Sequence, residues 1–350
     1  MDKKIRVLIA DDSPFIRHLL ADFIEEDPEL ELVGRAKTGQ EALDLIPKVK
    51  PDVVTLDYEM PVKDGLATLK EIMNRHPLPV IMISSHTREG TRVTLEALER
   101  GAFDLIAKPE GKSPLQLYEV RDEFQDKVKA AAREFKSPPS LQTKSEEETP
   151  LPDWPPFTTG PKLIVIATSS GGPRALQNLM PLFPPNISAS ILIIQHMPRG
   201  FTASLAERLN RESRIGVREA RDGDFLKSGS ALVAPGDFHL LVNARHQVIL
   251  NKKAPLWGVR PAADYTFKSA APIFKENIIG VVLTGMGRDG SQGLLEVKKF
   301  KGRTIVEDEK TCTVFGMPKA AIKAGAADLV LPLTEIPPII EKMFDQDKGG

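Results

Sequence analysis

Cysteine is almost absent from this chain, since only Cys312 among its 350 residues is a cysteine. A single thiol excludes an intramolecular disulfide, so the fold must depend on buried apolar side chains. No apolar run approaches the roughly 20 residues that a membrane-spanning helix needs. The first residues, MDKKIRVLIADD, turn acidic before the apolar core of a signal peptide could form. We therefore expect a cytoplasmic protein with no segment inserted in a membrane.

An excess of charge of either sign is also absent. The chain has 47 Lys and Arg against 48 Asp and Glu, a net charge of −1. Proteins that bind nucleic acid through its phosphates usually show a basic excess or a basic stripe, so this balance argues against a nucleic-acid partner. The apolar share of 41% fits a globular protein. The length is sufficient for about two domains, each with its own core.

Short apolar runs alternate with amphipathic stretches over residues 5–134. Such runs are typical of buried parallel strands, and they predict five strands, at residues 5–10, 30–36, 52–57, 79–84 and 103–107. The clearest helical patterns are at residues 67–76 and 93–101, and the last helix is predicted from about Ser113 to Phe135. These βα units predict a flavodoxin-like (βα)5 domain over residues 1–135, with strand order 2-1-3-4-5.

Composition changes abruptly after this region. Residues 136–161 contain seven prolines and three consecutive glutamates. Proline-rich segments are extended, and polar ones cannot build a core. We therefore predict a semi-rigid linker that does not pack.

From Lys162 the alternation begins again, and it predicts a doubly wound parallel-sheet domain over residues 162–350. Strands are predicted at residues 163–167, 191–195, 231–236, 239–243, 247–250, 278–284, 303–308 and 327–332. Helices are predicted after Pro173, Phe201, Ala263, Gly290 and Met317. Residues 231–250 predict an inserted β-hairpin, with residues 243–245 as its turn.

Polar side chains stand at the ends of four strands of the first domain. Asp11 and Asp12 end the first strand, Asp57 the third, Ser84 the fourth and Lys108 the fifth. A single acid at a strand end is usually a loop residue or a helix cap, but five polar residues at matching positions are not explained in that way. The first and third strands are neighbours in the predicted order, so their carboxylates would repel one another without a cation. Such oxygen ligands suit Mg²⁺.

The motifs ADDSPFIR, TLDYEMPVKDG, MISSHT and AKP resemble the response-regulator receiver family over residues 5 to about 125. The resemblance implies that Asp57 accepts a phosphoryl group from a histidine kinase. It also implies that Mg²⁺ is held by Asp12, Asp57 and the backbone carbonyl of Glu59, with Asp11 close by. Ser84 and Lys108 would sense the phosphate.

In the second domain three apolar runs end near residues that a hydrolase could use. LIVIA leads to Ser169, ILIIQ leads to His196, and IIGVVLTGMGR leads to Asp289. In parallel sheets the ligand crevice lies at the carboxyl ends of the strands, so the three residues can converge on one edge. Serine, imidazole and carboxylate together make an acyl-transfer site.

Two ambiguities remain at this level. A glycine-rich turn such as SSGGP is more often a phosphate cradle than a nucleophile turn, and physical reasoning alone does not choose between Ser169 and Ser170. Among the other histidines only His239 rivals His196, and the sequence favours a place for it in a strand of the hairpin.

The motifs ATSSGGP, IQHMPRGF, APGDFH, RPAADYTF, LTGMGRDG and EDEKTCTVFGMPKAA, behind a receiver, resemble the chemotaxis protein-glutamate methylesterase/protein-glutamine glutaminase (CheB) family. The match to the family selects Ser169 as nucleophile, with His196 and Asp289 completing the triad. Two departures are Ser170, where the family usually has threonine, and Asp237, where glycine is common.

The resemblance implies a serine carboxylesterase that releases methanol from glutamyl methyl esters of chemoreceptors and also deamidates receptor glutamines. We expect backbone amides near Ser169 and Ser170 and around Met286 to stabilise the oxyanion, and no cofactor for this reaction. Arg260 is a candidate receptor contact. The family also implies that the receiver blocks access to Ser169 until Asp57 is phosphorylated.

Two other functions compete with the esterase. The chain could be a non-enzymatic module that binds a phosphorylated ligand at the SSGGP turn under control of the receiver. A receiver-linked transcription factor conflicts with the charge balance, and no helix-turn-helix pattern is present.

Overall fold

A computed structural model describes residues 3–85, 87–108, 114–135 and 151–346. The chain divides into two compact units, Met1–Pro138 and Pro139–Gly350. In the described ranges no helix is long and apolar enough to cross a membrane.

The first unit is a five-stranded parallel sheet with the predicted order β2-β1-β3-β4-β5. Its strands are β1 (Ile5–Ala10), β2 (Leu30–Ala36), β3 (Val53–Asp57), β4 (Val80–Ser84) and β5 (Asp104–Ala107). Its helices are α1 (Pro14–Glu25), α2 (Gly39–Val49), α3 (Gly65–Arg75), α4 (Arg88–Glu99) and α5 (Pro114–Glu134). The predicted flavodoxin-like fold is therefore confirmed.

Burial explains why these strands could be recognised in the sequence. Every residue of β3 and β4 is buried, as expected for central strands that helices cover on both faces. Helix starts carry side-chain caps, for example Ser13, whose hydroxyl accepts from the Ile16 amide, and Asp64, whose carboxylate accepts from the Ala67 amide. Because β1 pairs with β3 in parallel, the carboxyl ends of these two strands lie side by side.

The second unit has a seven-stranded parallel sheet of order β14-β13-β12-β6-β7-β9-β8, together with a two-stranded antiparallel sheet of β10 and β11. Its strands are β6 (Lys162–Thr168), β7 (Ala189–Gln195), β8 (Gly216–Glu219), β9 (Ser230–Val233), β10 (His239–Val242), β11 (Val248–Asn251), β12 (Ile278–Val282), β13 (Arg303–Glu307) and β14 (Leu329–Leu331). Its helices are α6 (Gly172–Leu179), α7 (Phe201–Glu212), α8 (Ala263–Phe274), α9 (Ser291–Lys299), α10 (Met317–Lys323) and α11 (Ile336–Gln346).

The predicted doubly wound sheet is confirmed, with two differences at its β8 edge. Only β10 and β11 form the hairpin, whereas β9, predicted as part of it, pairs in parallel with β7 and β8. The edge strand β8 was not predicted, because its sequence GVRE is short, charged and largely unburied. Charged residues are common on edge strands, where they discourage pairing with other chains.

The chain reverses its winding direction beside β6. From β6 it forms β7, β8 and β9 on one side, in the spatial order β7-β9-β8, and it later returns to place β12, β13 and β14 on the other side. The switch point therefore lies between β6 and β12. In doubly wound sheets this is where the strand ends leave an open crevice.

Part of the predicted linker packs on the second unit. Phe157 is buried, its ring centroid lies 5.0 Å from that of Phe344, and the guanidinium carbon of Arg303 lies 3.3 Å from its centroid. The Thr158 amide donates to Asn277 Oδ1 at 2.8 Å. The expectation of an unpacked segment is therefore wrong here, because an aromatic ring among the prolines supplies apolar area to bury. Residues 136–150 lie outside the described ranges.

We expect Phe157→Ala to lower the free energy of unfolding of the second unit by about 3 kcal/mol, because it removes a buried ring. The change can be measured by urea unfolding followed through tryptophan fluorescence, since both tryptophans, Trp154 and Trp257, lie in this unit. Phe225→Ala is the matched control, because Phe225 is 57% exposed. Equal midpoints for the two variants would show that Phe157 does not hold the segment in place.

Candidate active site

Ser169 and His196 follow the ends of adjacent strands. Thr168, the last residue of β6, pairs with Gln195, the last residue of β7, and the His196 amide donates to the Thr168 carbonyl at 3.1 Å. The Gln195 side chain joins the two segments again, because its Nε2 donates to the carbonyls of Ser169 at 2.9 Å and of His196 at 3.0 Å. The backbones of both residues are thus held together at the carboxyl edge of the sheet.

The turn after β6 is tight. Gly171 has φ 77°, and a Cβ there would lie 2.4 Å from the Thr313 side chain, so glycine is required. The Ser169 carbonyl accepts from the Gly172 amide at 2.8 Å, and α6 then starts with Pro173 near its first position. Ser169 is half-buried and its hydroxyl makes no hydrogen bond to any described residue, whereas Ser170 is 2% exposed. Of the two serines, Ser169 has the more accessible hydroxyl.

Thr284, in the loop after β12, holds this turn through three hydrogen bonds. Its carbonyl accepts from the Ser169 amide at 3.0 Å and from the Thr168 hydroxyl at 2.9 Å. Its hydroxyl donates to the Ser170 carbonyl at 2.9 Å. The Ser169 amide is therefore already engaged and is not available to an oxyanion.

A buried carboxylate lies beneath Thr284. Glu307, at the end of β13, accepts from the Thr284 amide at 2.7 Å and from the Thr311 hydroxyl at 3.0 Å. Burial raises the pKa of Glu307 to about 7, and these hydrogen bonds offset only part of that effect. The group is too deep to reach a substrate, so it acts as a support for the nucleophile turn.

Asp289 lies in the loop before α9 and contacts His196 directly. Its Oδ2 is 2.7 Å from His196 Nε2, and both side chains are buried. The first amides of α8 also donate to it, from Ala263 to Oδ2 at 2.5 Å and from Asp264 to Oδ1 at 3.0 Å. Burial alone would raise the pKa of Asp289, but His196 and these amides outweigh it and the pKa is lowered. The lowered pKa keeps the carboxylate ionised near neutral pH, and its contact with Nε2 leaves Nδ1 of His196 free of Asp289.

His239, the rival to His196, has a structural role. Its Nδ1 accepts from the Ala262 amide at 3.2 Å, so its Nε2–H donates to the Ala254 carbonyl, 3.1 Å away. Burial is the main cause that lowers its pKa, which keeps the ring neutral. His239 thereby holds the segment that leads into α8, as its predicted place in a strand of the hairpin suggested.

Met286 presents a free donor at the same edge. The preceding residue, Gly285, is packed against Ser169 so closely that a Cβ on it would lie 2.7 Å from Ser169 Cβ. Within the described part of the chain the Met286 amide has no hydrogen-bond partner, whereas the Gly285 amide is bound to the Val314 carbonyl. This position suits an oxyanion donor.

Sequence reasoning missed several supporting residues, of which Asp264 is the clearest. It is fully buried at the start of α8, where its carboxylate accepts from the Gly293 amide at 2.6 Å and from the indole of Trp257 at 2.9 Å. Burial and the charge of Asp289 raise its pKa. The only sequence signal was an acid at a helix start, which usually indicates a solvated cap.

The carboxylates of the first unit cluster as predicted. Oxygen atoms of Asp11, Asp12 and Asp57 lie within 4.8 Å of one another. Lys108 Nζ is 2.7 Å from Asp57 Oδ2 and 3.2 Å from Asp11 Oδ2. Burial raises the pKa of Asp57 to about 6, since Lys108 compensates it only in part and Asp11 adds repulsion. Three oxygen donors so close together fit a hard divalent cation.

The remaining predicted switch residues are less directly connected. Ser84 is the last residue of β4, and its hydroxyl accepts from the hydroxyl of Thr94 in α4 at 2.6 Å. Among the described residues it makes no hydrogen bond to Asp57. Glu59 is exposed two residues beyond Asp57. The structure thus brings Asp11, Asp12, Asp57 and Lys108 together, whereas Ser84 is hydrogen-bonded to Thr94 and not to this cluster.

Comparison with known proteins gives two family matches. The model of the CheB methylesterase family matches residues 164–340, and that of the response regulator receiver domain matches residues 7–118. A protein-glutamate methylesterase/protein-glutamine glutaminase of Pyrococcus abyssi (strain GE5 / Orsay) is 46% identical over 99% of this chain and 96% of its own length. The one of Thermotoga maritima is 45% identical over 98% of this chain and 99% of its own length. The crystal structure of the Thermotoga maritima CheB methylesterase catalytic domain is 47% identical, with a TM-score of 0.51, and covers 54% of this chain and 100% of that chain.

We expect Ser169→Ala to lower kcat for a chromogenic ester by a factor on the order of 10⁶, as loss of a nucleophile does in other serine hydrolases. Ser170→Ala should retain activity within about tenfold, because that hydroxyl is buried away from substrate. Circular dichroism of both variants controls for folding. An essential Ser170 beside a dispensable Ser169 would contradict the geometry described above.

Proposed function

The chain belongs to the CheB methylesterase family and is a protein-glutamate methylesterase/protein-glutamine glutaminase with a receiver domain, and we propose that Ser169, His196 and Asp289 carry its reaction. The observation that supports this most strongly is the buried His196–Asp289 pair, 2.7 Å apart. His196 follows β7, whose end lies beside the end of β6 that Ser169 follows, and Asp289 reaches His196 from the loop before α9. A non-enzymatic phosphate-binding module would leave this pair without a role.

In this proposal the Ser169 oxygen attacks the carbonyl carbon of a glutamyl methyl ester and passes its proton to Nδ1 of His196. Asp289 stabilises the imidazolium through Nε2. This assignment of the two ring nitrogens is the reverse of the one in chymotrypsin-like proteases. The Ser169 hydroxyl is not yet hydrogen-bonded to His196, as is common for catalytic contacts before substrate binds.

The tetrahedral oxyanion lies within reach of the Met286 amide, with the Ser170 region as the second source of donors. Each such donor contributes a factor of about 10²–10³ in kcat in comparable sites. Collapse of the intermediate breaks the bond to the methoxy oxygen, and His196 protonates the departing methanol. Water then attacks the carbonyl carbon of the acyl enzyme and gives its proton to His196. The bond to the Ser169 oxygen breaks, His196 returns the proton to that oxygen, and glutamate is released. A glutamine side chain follows the same steps with ammonia as leaving group.

We further propose that Asp57 accepts a phosphoryl group from a chemotaxis histidine kinase and that chemoreceptors in the same cytoplasm are the substrates. The residues that would hold Mg²⁺ are Asp11, Asp12, Asp57 and the Glu59 carbonyl. The ion would neutralise the clustered carboxylates and the incoming phosphate. Lys108 then pairs with the phosphoryl oxygens, and Ser84 would have to exchange its bond with Thr94 to reach them.

Phosphorylation at Asp57 should raise methanol release from methylated receptors several-fold. The measurement compares initial rates with and without acetyl phosphate and Mg²⁺. Asp57→Ala and wild type treated with EDTA should show no increase, because the acceptor or the cation is missing. Asp44→Ala, which removes an exposed acid on α2, is the matched control and should respond like wild type. A response in the Asp57→Ala variant would contradict the assignment, and no response in wild type would mean that the receiver does not control turnover.

A further inference from the structure

The backbone conformation at Trp257 is unfavourable for a tryptophan side chain. It is the first central residue of a two-residue turn in which Leu256 and Val259 exchange backbone hydrogen bonds, at 3.2 Å and 3.1 Å. Trp257 has φ 57° and Gly258 has φ 78°. Positive φ at both positions is the combination of a type I′ turn, which favours asparagine or aspartate before glycine. A bulky residue there is strained, and such strain is often found at functional positions.

The indole is nevertheless held firmly. Its N–H donates to the buried carboxylate of Asp264 at 2.9 Å, while 42% of the residue stays exposed. The Asp264 amide is one of the two that bind Asp289. Trp257 is therefore fixed to the same helix start that fixes the triad carboxylate, although it faces solvent.

Arg288 covers the exposed ring. Its guanidinium carbon lies 3.8 Å from the Trp257 ring centroid, and it directly precedes Asp289 in the chain. Arg288 is exposed, and within the described ranges no carboxylate lies within ion-pairing distance of it. Stacking on an aromatic face pre-orders a guanidinium and removes water from one side of it. We call Trp257 and Arg288 together the Trp257–Arg288 platform.

Further cations lie along the same loop. Arg260 donates to the Lys253 carbonyl at 3.1 Å, and Lys253 Nζ lies 6.0 Å from the centroid of Tyr265 in α8. The exposed acid of this neighbourhood, Asp237, is 3.7 Å from Arg260. The chain as a whole has a net charge of −1, so this loop is a local concentration of positive charge.

We propose that the Trp257–Arg288 platform binds an acidic side chain of the substrate protein close to the glutamyl ester under attack, and so determines substrate specificity. The inference rests on the proposed methylesterase function. A protein substrate whose modified residues are glutamates presents carboxylates as neighbours wherever such residues are unmodified. A pre-ordered guanidinium matches a carboxylate with two parallel hydrogen bonds, and tryptophan and arginine are the residues that most often dominate binding surfaces.

The test compares two substrates, a methylated chemoreceptor in membrane vesicles and a small neutral methyl ester. Arg288→Glu should raise the KM for the receptor about tenfold, with a loss in kcat/KM at least fivefold larger for the receptor than for the small ester. Arg288→Lys should lie between Arg288→Glu and wild type, because it keeps a point charge but not the flat guanidinium. The KM of wild type for the receptor should rise with salt, and that of Arg288→Glu should not.

Two further variants separate recognition from other effects. Trp257→Asn introduces a residue that the turn accommodates with less strain, and it should raise the receptor KM without loss of helical circular dichroism. Arg245→Glu makes the same charge change at the far end of the β10–β11 hairpin and should leave both substrates unaffected.

Three results would overturn the inference. An equal loss of kcat/KM on both substrates would mean that Arg288 acts through Asp289 and not on the substrate. A receptor KM for Arg245→Glu as high as that of Arg288→Glu would indicate only a general charge effect. Wild type that cleaves the small ester but not the methylated receptor would remove the proposed function itself, and the inference with it.

Discussion

The buried carboxylate of Asp289 is the interaction on which the active edge of the second unit depends. A carboxylate taken out of water must be compensated, and here His196 Nε2 and the first two amides of α8 do so together. The start of α8 must therefore stand at a fixed place, and His239 holds the segment before it through both ring nitrogens. The orientation of the imidazole, with Nε2 turned to Asp289, follows from this one burial.

Burial of a carboxylate has the opposite effect on the pKa in the first unit. Asp57 has one cation beside it, Lys108, and two other carboxylates, so its pKa is raised to about 6, whereas the pKa of Asp289 is lowered. The lowered pKa keeps Asp289 ionised near neutral pH. Asp57 belongs to an under-compensated cluster that favours a divalent cation. The carboxylates near the strand ends of the two units thus have different charge environments, and the number of donors around each carboxylate makes the difference.

Much of this could be predicted from the sequence, because buried strands are continuous apolar runs and functional residues stand at their ends. The strand ends predicted His196, Asp289 and one of Ser169 and Ser170 as site residues, and the family resemblance selected Ser169. They also predicted the cluster of Asp11, Asp12 and Asp57 that the structure shows. The residues that hold the site in place were not predicted. The hydrogen bonds of Thr284 with Ser170 and of Asp264 with Gly293 join residues far apart in the sequence, and they form only when the sheet has formed. The segment around Phe157 was predicted not to pack, because its composition is that of a linker. The burial of the Phe157 ring nevertheless packs this segment on the second unit.

The most direct test of the account is the rate of labelling by a fluorophosphonate, with the modified residue identified by peptide mass spectrometry. Such a reagent forms a covalent bond only with a serine oxygen that a neighbouring base activates. The account predicts a label on Ser169 in wild type and a rate lower by a factor on the order of 10⁴ in the Asp289→Asn variant. A label on Ser170, or an unchanged rate in the Asp289→Asn variant, would contradict the account.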